Sequence, residues 1–397
     1  MKDSRFLLDG ETKYFKNIEE QNVYLEHLKA DVWAKPYLSE IQVEAIPSDP
    51  ISIISRCEEL ELEQTAPVME CAMENGIFLS LPVNGKRELL PIRETAYNTM
   101  LDRLGLNCSL LKQKKENAKG NPIPLETKAE TLALCFRLKK EQTNVLIRDE
   151  KISALHSQSY AILPINDLIK VLEEELLKDH EDYSFEGAEA SHEYFISTYR
   201  LNDEMSDESI KLKMEEAGAS IKSLKSGVML ATSDVGYSSA TVYPFLDVDG
   251  IHMFLGRNMG ITHKKGKEQE SEDRMEEFRK AVHSVGNVFR ECEDEIERLG
   301  NQVVNDVPRL ISNIVDSMTT LSSSNPLVRD TLNDMYLTKK MKGTGIDVYL
   351  GLLEVLESQK NTKNFGPRKY IEVLEEISRY LDRDFSEIEF EMLNKGK

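Results

Sequence analysis

The chain has 397 residues, with 50 Lys+Arg against 70 Asp+Glu, a formal charge of −20, and 40% hydrophobic and 30% charged residues. That is an ordinary globular balance, long enough for two or three domains and a sizeable core. No run approaches the ~18 apolar residues of a bilayer span, and the opening MKDSRFLLDGETKYF lacks a signal-peptide h-region; the acidity argues against generic coating of duplex DNA.

In chain order, residues 1–83 form an acidic region of mixed character, with 7 basic and 16 acidic side chains. Glu19–Ala30 reads as a helix, Pro47–Pro50 as a turn and Ile51–Ser55 as a strand. Residues 84–266 read as an α+β core. Gly76–Val83, Thr131–Leu138, Asn144–Arg148, Glu193–Leu201, Gly227–Ser233, Thr241–Val248 and Ile251–Leu255 are apolar, short and strand-like. Pro244 demotes its strand towards an edge or a bulge. Glu94–Leu104 carries apolar residues at helical spacing and stops at Gly105, and Ile165–Lys178 puts five aliphatic residues on one face, with Asn166 or Asp167 as a cap. The stretch His180–Glu216 is so acidic that it reads in part as a solvated linker. Residues 267–397 form an all-α region: a long amphipathic helix over Glu268–Leu299, then helices near Val303–Leu321, Pro326–Lys340, Asp347–Ser358 and Pro367–Leu381. The predicted fold class is α+β, a β-rich central domain with inserted helices followed by a C-terminal helical region.

Charge is unevenly spread. Residues 84–151 hold 14 basic and 9 acidic side chains and residues 221–267 hold 6 and 3, so two positive islands lie inside an acidic protein. The first centres on Lys112, Lys114, Lys115 and Lys119, with Arg137, Lys139 and Lys140 nearby. The second is GRNMGITHKKGK, with Arg257, His263, Lys264, Lys265 and Lys267. Such side chains beside a sheet suit a phosphate backbone, and Tyr237 and Tyr243 are candidates for stacking bases. Solvated connecting loops are the competing reading, and GRNMG matches neither common nucleotide-binding glycine loop. Asp247-Val-Asp249-Gly250 offers alternate carboxylates for a divalent cation, but a β-turn explains it equally simply. Ser157 and Ser159 beside His156 lack a placed carboxylate. The five cysteines, Cys57, Cys71, Cys108, Cys135 and Cys292, are odd in number, without a CxxC pair, and fit a reducing cytoplasm better than a disulfide framework or a zinc site. No cofactor is indicated.

Three segments resemble the phage/plasmid-like family catalogued as domain of unknown function 932. In IRDEKISALHSQSYAILPINDLIKVLEEELL, an arginine-containing strand precedes Ala154, Ser157 and Tyr160, then Asn166 and Leu168 at a step into a helix. In GVMLATSDVGYSSATVYPF, Ser233, Asp234, Val235 and Gly236 fit the family's Ser-acidic-Val-Gly step, and Gly343–Leu353 is similar to its late helix opening with Gly-Thr. Ser153 stands where an arginine is usual, and Asp247–Gly250 replaces a Cys-Thr-Asn-Gly-like turn. The resemblance implies an accessory protein of phages or other mobile elements, in the cytoplasm of a host bacterial cell, without established catalytic residues. The resulting expectation is a non-enzymatic binder of single-stranded nucleic acid linked to recombination or DNA maintenance, likewise without a membrane partner and as a homo-oligomer. The alternatives are a protein-interaction or self-assembling factor that engages host or phage proteins, and a metal-dependent enzyme acting on nucleotides.

Overall fold

The computed structural model describes residues 11–46, 49–62, 72, 76–106, 108–112, 123–179, 182–255, 259–264, 271–360, 362 and 365–395. In chain order these give β1 (Lys13–Phe15), α1 (Ile18–Leu28), β2 (Val32–Ala34), β3 (Gln42–Ala45), α2 (Pro50–Glu59), β4 (Ile77–Val83), β5 (Lys86–Pro91), α3 (Glu94–Leu104), α4 (Ser109–Lys112), α5 (Leu125–Leu138), β6 (Thr143–Arg148), β7 (Lys151–Ser157) and α6 (Ile165–Asp179). There follow β8 (Tyr183–Ala190), β9 (Phe195–Leu201), α7 (Glu204–Glu216), β10 (Leu224–Thr232), β11 (Ala240–Val248), β12 (Ile251–Phe254) and β13 (Met259–Ile261). The remainder is α8 (Ser271–His283), α9 (Val285–Gly300), β14 (Val303–Val304), α10 (Val307–Ser317), α11 (Pro326–Thr338), β15 (Gly343–Thr344), α12 (Gly345–Gln359), α13 (Pro367–Ser378) and α14 (Phe385–Lys395). The fold is α+β.

The large sheet is antiparallel in the order β1-β8-β9-β10-β11-β12, with β13 also pairing β11. Its apolar residues and those of the C-terminal helices enclose one core, which runs from Phe15 to Ile388. A second core collects residues of β3 to β7 with α3 and α5, including Leu79, Met100, Phe136 and Leu155. There β2-β6-β7 and β3-β4-β5 form two three-stranded sheets, joined by a parallel bridge between Ile92 and Ile152.

Several local expectations are corrected. Thr131–Leu138 belongs to α5: Ala129, Leu132 and Phe136 are buried at helical spacing while Leu134 and Leu138 point to solvent, so the apolar run is two-sided rather than strand-like. Ile51–Ser55 lies in α2, because Asp49 caps the helix by accepting from the Ser52 amide (2.9 Å) and Pro50 suits the first turn. Within the acidic stretch after Asp182, β9 forms where Glu193–Leu201 reads as a strand, while β8 and α7 stand in place of the expected linker; acidic residues such as Glu204 lie on α7. The long helix divides at Ser284, whose hydroxyl donates to the Ala281 carbonyl (2.7 Å) with Gly286 close behind. Pro244 lies in an inner strand: β12 pairs β11 from Phe245 onward and β13 pairs it up to Val242, so the proline falls between the two short partners.

Glu94–Leu104 forms as predicted, with Gly105 at φ +73° closing it in the left-handed region that costs glycine nothing. Gly227 has a different reason. A methyl group there would overlap the Phe245 ring and lie 2.8 Å from the Tyr199 carbonyl oxygen. Gly227→Ala is therefore expected to lower the unfolding free energy by about 1–3 kcal/mol, measured by urea denaturation; a change within about 0.5 kcal/mol would contradict this crowding.

Candidate nucleic-acid interface

The two motifs behind the resemblance are 73 residues apart between Tyr160 and Ser233, yet they meet in space. Ala154, Leu146 and Val235 form a small apolar cluster beside Trp33. The Tyr160 hydroxyl lies 3.4 Å from the Ser233 carbonyl and 3.3 Å from that of Asp234, and His156 Nε2 lies 2.8 Å from the latter. The His156 ring stacks on Tyr160 at 3.7 Å, and His263 covers the other part of the stack, 4.8 Å from Tyr160. Burial lowers the pKa of both imidazoles, that of His156 to about 4. Below the stack, Arg148 donates to Asp31 (2.9 Å) and to Asp234 (2.7 Å). Burial works against the Arg148 charge, but the two carboxylates outweigh it and hold the guanidinium well above its ordinary pKa.

This packing fixes the turn after β7 and what surrounds it. Thr143, three residues beyond Lys140, pairs with Ser157. Tyr160 pairs with Lys264 in an antiparallel bridge, and the Ala161 amide donates to the His263 carbonyl (2.6 Å). The described parts of both basic islands thus flank one turn. Arg137 and Lys140 are exposed and Lys139 half-buried at the C-terminal end of α5; Lys264 is exposed. Lys112 is exposed at the end of α4, 3.5 Å from Asp102, and the next residue, Arg103, pairs with Glu141 (2.6 Å). Exposed Gln158 and Ser159 complete the turn, with Ser157 and Ser159 sharing a hydroxyl contact of 2.8 Å. Lys114, Lys115, Lys119, Arg257, Lys265 and Lys267 lie outside the described residues.

Other candidates are placed differently. His263 is buried, so it contributes packing rather than a surface charge. Tyr243 is also buried, donates to Glu375 (3.1 Å) and meets Phe254 edge-on, leaving no face for a base. Tyr237 is 37% exposed, but the Arg368 guanidinium lies over its ring, 3.8 Å from the centroid. Asp249 takes a left-handed φ of +53° with Gly250 at +92°, and its carboxylate accepts from the Lys222 and Ser223 amides (2.9 and 2.8 Å), so it staples the hairpin. Asp247 is buried, accepts from the Gly250 amide (2.8 Å) and pairs with Arg200. His156 turns to Asp234, away from any Ser157 nucleophile role. Thr344 and Asp347, in the third motif, form a capping box for α12.

No family model, curated protein or solved structure matches the chain. The residues therefore speak through their geometry. Two of them escape one-dimensional reading: Tyr37, 48% exposed and bridged to Gln142, and Arg103, close enough to His156 to lower its pKa further after burial has done so. Neither lies in a charge run; the Tyr37–Gln142 bridge brings the first to this edge, and α3 carries the second to Glu141.

Proposed function

We propose that the protein is a non-enzymatic binder of single-stranded nucleic acid, its contact edge running from Lys139 and Lys140 past the Ser157–Tyr160 turn to Lys264. The observation that supports this reading is the double pairing of that turn, Thr143 with Ser157 and Tyr160 with Lys264, which sets described residues of the two islands, Lys140 and Lys264, on either side of it. Lysine and arginine at such an edge would release counterions from phosphates, and exposed Tyr37 offers a ring for stacking. The acidic surplus elsewhere would restrict binding to this edge. On the same reading, the motif resemblance implies an accessory factor of a mobile element acting in the cytoplasm. Among the described residues no helix is long and apolar enough to cross a membrane.

Fluorescence anisotropy with a labelled oligonucleotide tests the reading. The expected result is binding that weakens as salt rises and is lost, by at least about tenfold, in the Lys139/Lys140/Lys264→Glu variant. Absence of binding at low salt, or unchanged affinity in the variant, would overturn it. Exposed Leu337 and Met341, at 84% and 52%, favour self-association as a second reading; a monomer by light scattering at high concentration would remove it.

A further inference from the structure

A mixed histidine–carboxylate cluster, Glu186, Asp247 and His252, lies on the large sheet and shares no residue with the basic edge. Glu186 sits in β8 at a register shift between Phe185 and Gly187, an irregularity that re-aims the side chain out of the regular alternation. Asp247 of β11 is paired directly across the ladder from His252 of β12. Between β9 and β11 lies Gly227, which has no side chain to separate them and pairs with both Arg200 and Phe245. The Phe245 ring packs under His252 at 4.2 Å and supports the imidazole from one side. One ligand atom each from Glu186, Asp247 and His252 lies within 4.8 Å of the others, and His252 Nε2 is 3.5 Å from Glu186 Oε1. Tetrahedral zinc, with bonds near 2.0–2.1 Å, sets its ligands about 3.3 Å apart.

Two further observations point to a cation. The second carboxylate oxygen of Glu186, Oε2, is buried and has no hydrogen-bond donor. A positive group already bridges the two acids: Arg200 pairs with Glu186 (2.9 Å) and with Asp247. Arg200 itself is 35% exposed.

We propose that Glu186, Asp247 and His252 form a zinc site in which Zn²⁺ and the Arg200 guanidinium compete for the same two carboxylates. Two oxygens and one imidazole nitrogen match the donors zinc accepts, and water would complete the shell as the fourth ligand. Metal binding would stitch β8 to the adjacent pair β11 and β12, neither of which is its neighbour in the large sheet. The inference is independent of the nucleic-acid reading, since none of its residues belongs to the basic edge.

Isothermal titration of the EDTA-stripped full-length chain with zinc chloride provides the test. The expected result is one Zn²⁺ per chain, weakened at least about tenfold by His252→Gln and by Asp247→Asn. Arg200→Ala is expected to tighten binding several-fold, a gain that misfolding cannot produce. Zinc uptake unchanged in His252→Gln would place the metal elsewhere, for instance on cysteine, and overturn the proposal. So would no uptake by either the natural chain or Arg200→Ala, or weaker binding in Arg200→Ala.

Discussion

Replacing Arg148 with methionine is expected to lower the unfolding free energy by about 3–5 kcal/mol, read as a lower urea midpoint at an unchanged denaturant slope. Arg148 comes from β6, Asp31 from the link between α1 and β2, and Asp234 from the loop between β10 and β11, so one guanidinium joins three separate segments. All three side chains are nearly out of solvent, at 9%, 13% and 9% exposure. Methionine keeps much of the volume but leaves two carboxylates facing each other without a counter-charge. The cost is thus the stranded acids rather than lost attraction, which makes a rescue experiment informative. Adding Asp31→Asn and Asp234→Asn to Arg148→Met is expected to restore most of the stability. A loss under about 1 kcal/mol in the single variant would show that the acids are already neutral or hydrated.

Acid is expected to cost about 3 kcal/mol of stability through His156 as pH falls from 6.5 towards 4. The sign follows from burial. The folded imidazole, stacked on Tyr160, takes its proton only near pH 4, whereas the unfolded one takes it near 6.5. Between those values the unfolded chain binds the extra proton, so the stabilisation is full above 6.5 and is lost as pH falls through the window. His263, lowered by the same cause, acts in the same direction. Urea unfolding of the natural chain and of His156→Phe across this range isolates the effect. Phenylalanine keeps a ring against Tyr160 but cannot titrate, so the stability gap between the two proteins should shrink as pH falls. A constant gap would assign the acid sensitivity to other groups.

Helices and strands with one clear period were readable from residues alone: Glu94–Leu104 ended at its glycine, and the stripe from Phe278 to Ile296 is buried as its spacing implied. The errors arose where local preference and tertiary context disagreed. TLALCFRL has strand-like composition, but its neighbours Ala129 and Lys128 extend a buried helical face. Acidity concealed β8, because charge on one side of a strand is compatible with burial of the other, as at Ala188 and Ala190. The site was partly legible: the lysine runs were visible, and so were the Tyr160 and Asp234 motifs, but not that pairing would bring them to one turn. Asp247 was named as a metal candidate with Asp249 as its partner. Asp249 is bent away by the turn, and the groups beside Asp247, Glu186 and His252, come from two other strands.

The placement of β1 has a consequence for the birth of the molecule. Phe15 pairs with Ala188, and Lys13 with Ala190, although β2 to β7 intervene in the chain. The three-stranded sheets with α3 and α5 draw all their strands from residues 32–157, with Asp234 and Val235 packing on them from the later chain. As the chain leaves the ribosome, that unit can close while β1 still waits for its partner strand to be synthesised. Its first strand therefore belongs to a late event, and the seven-stranded sheet is completed around a neighbour that has already folded.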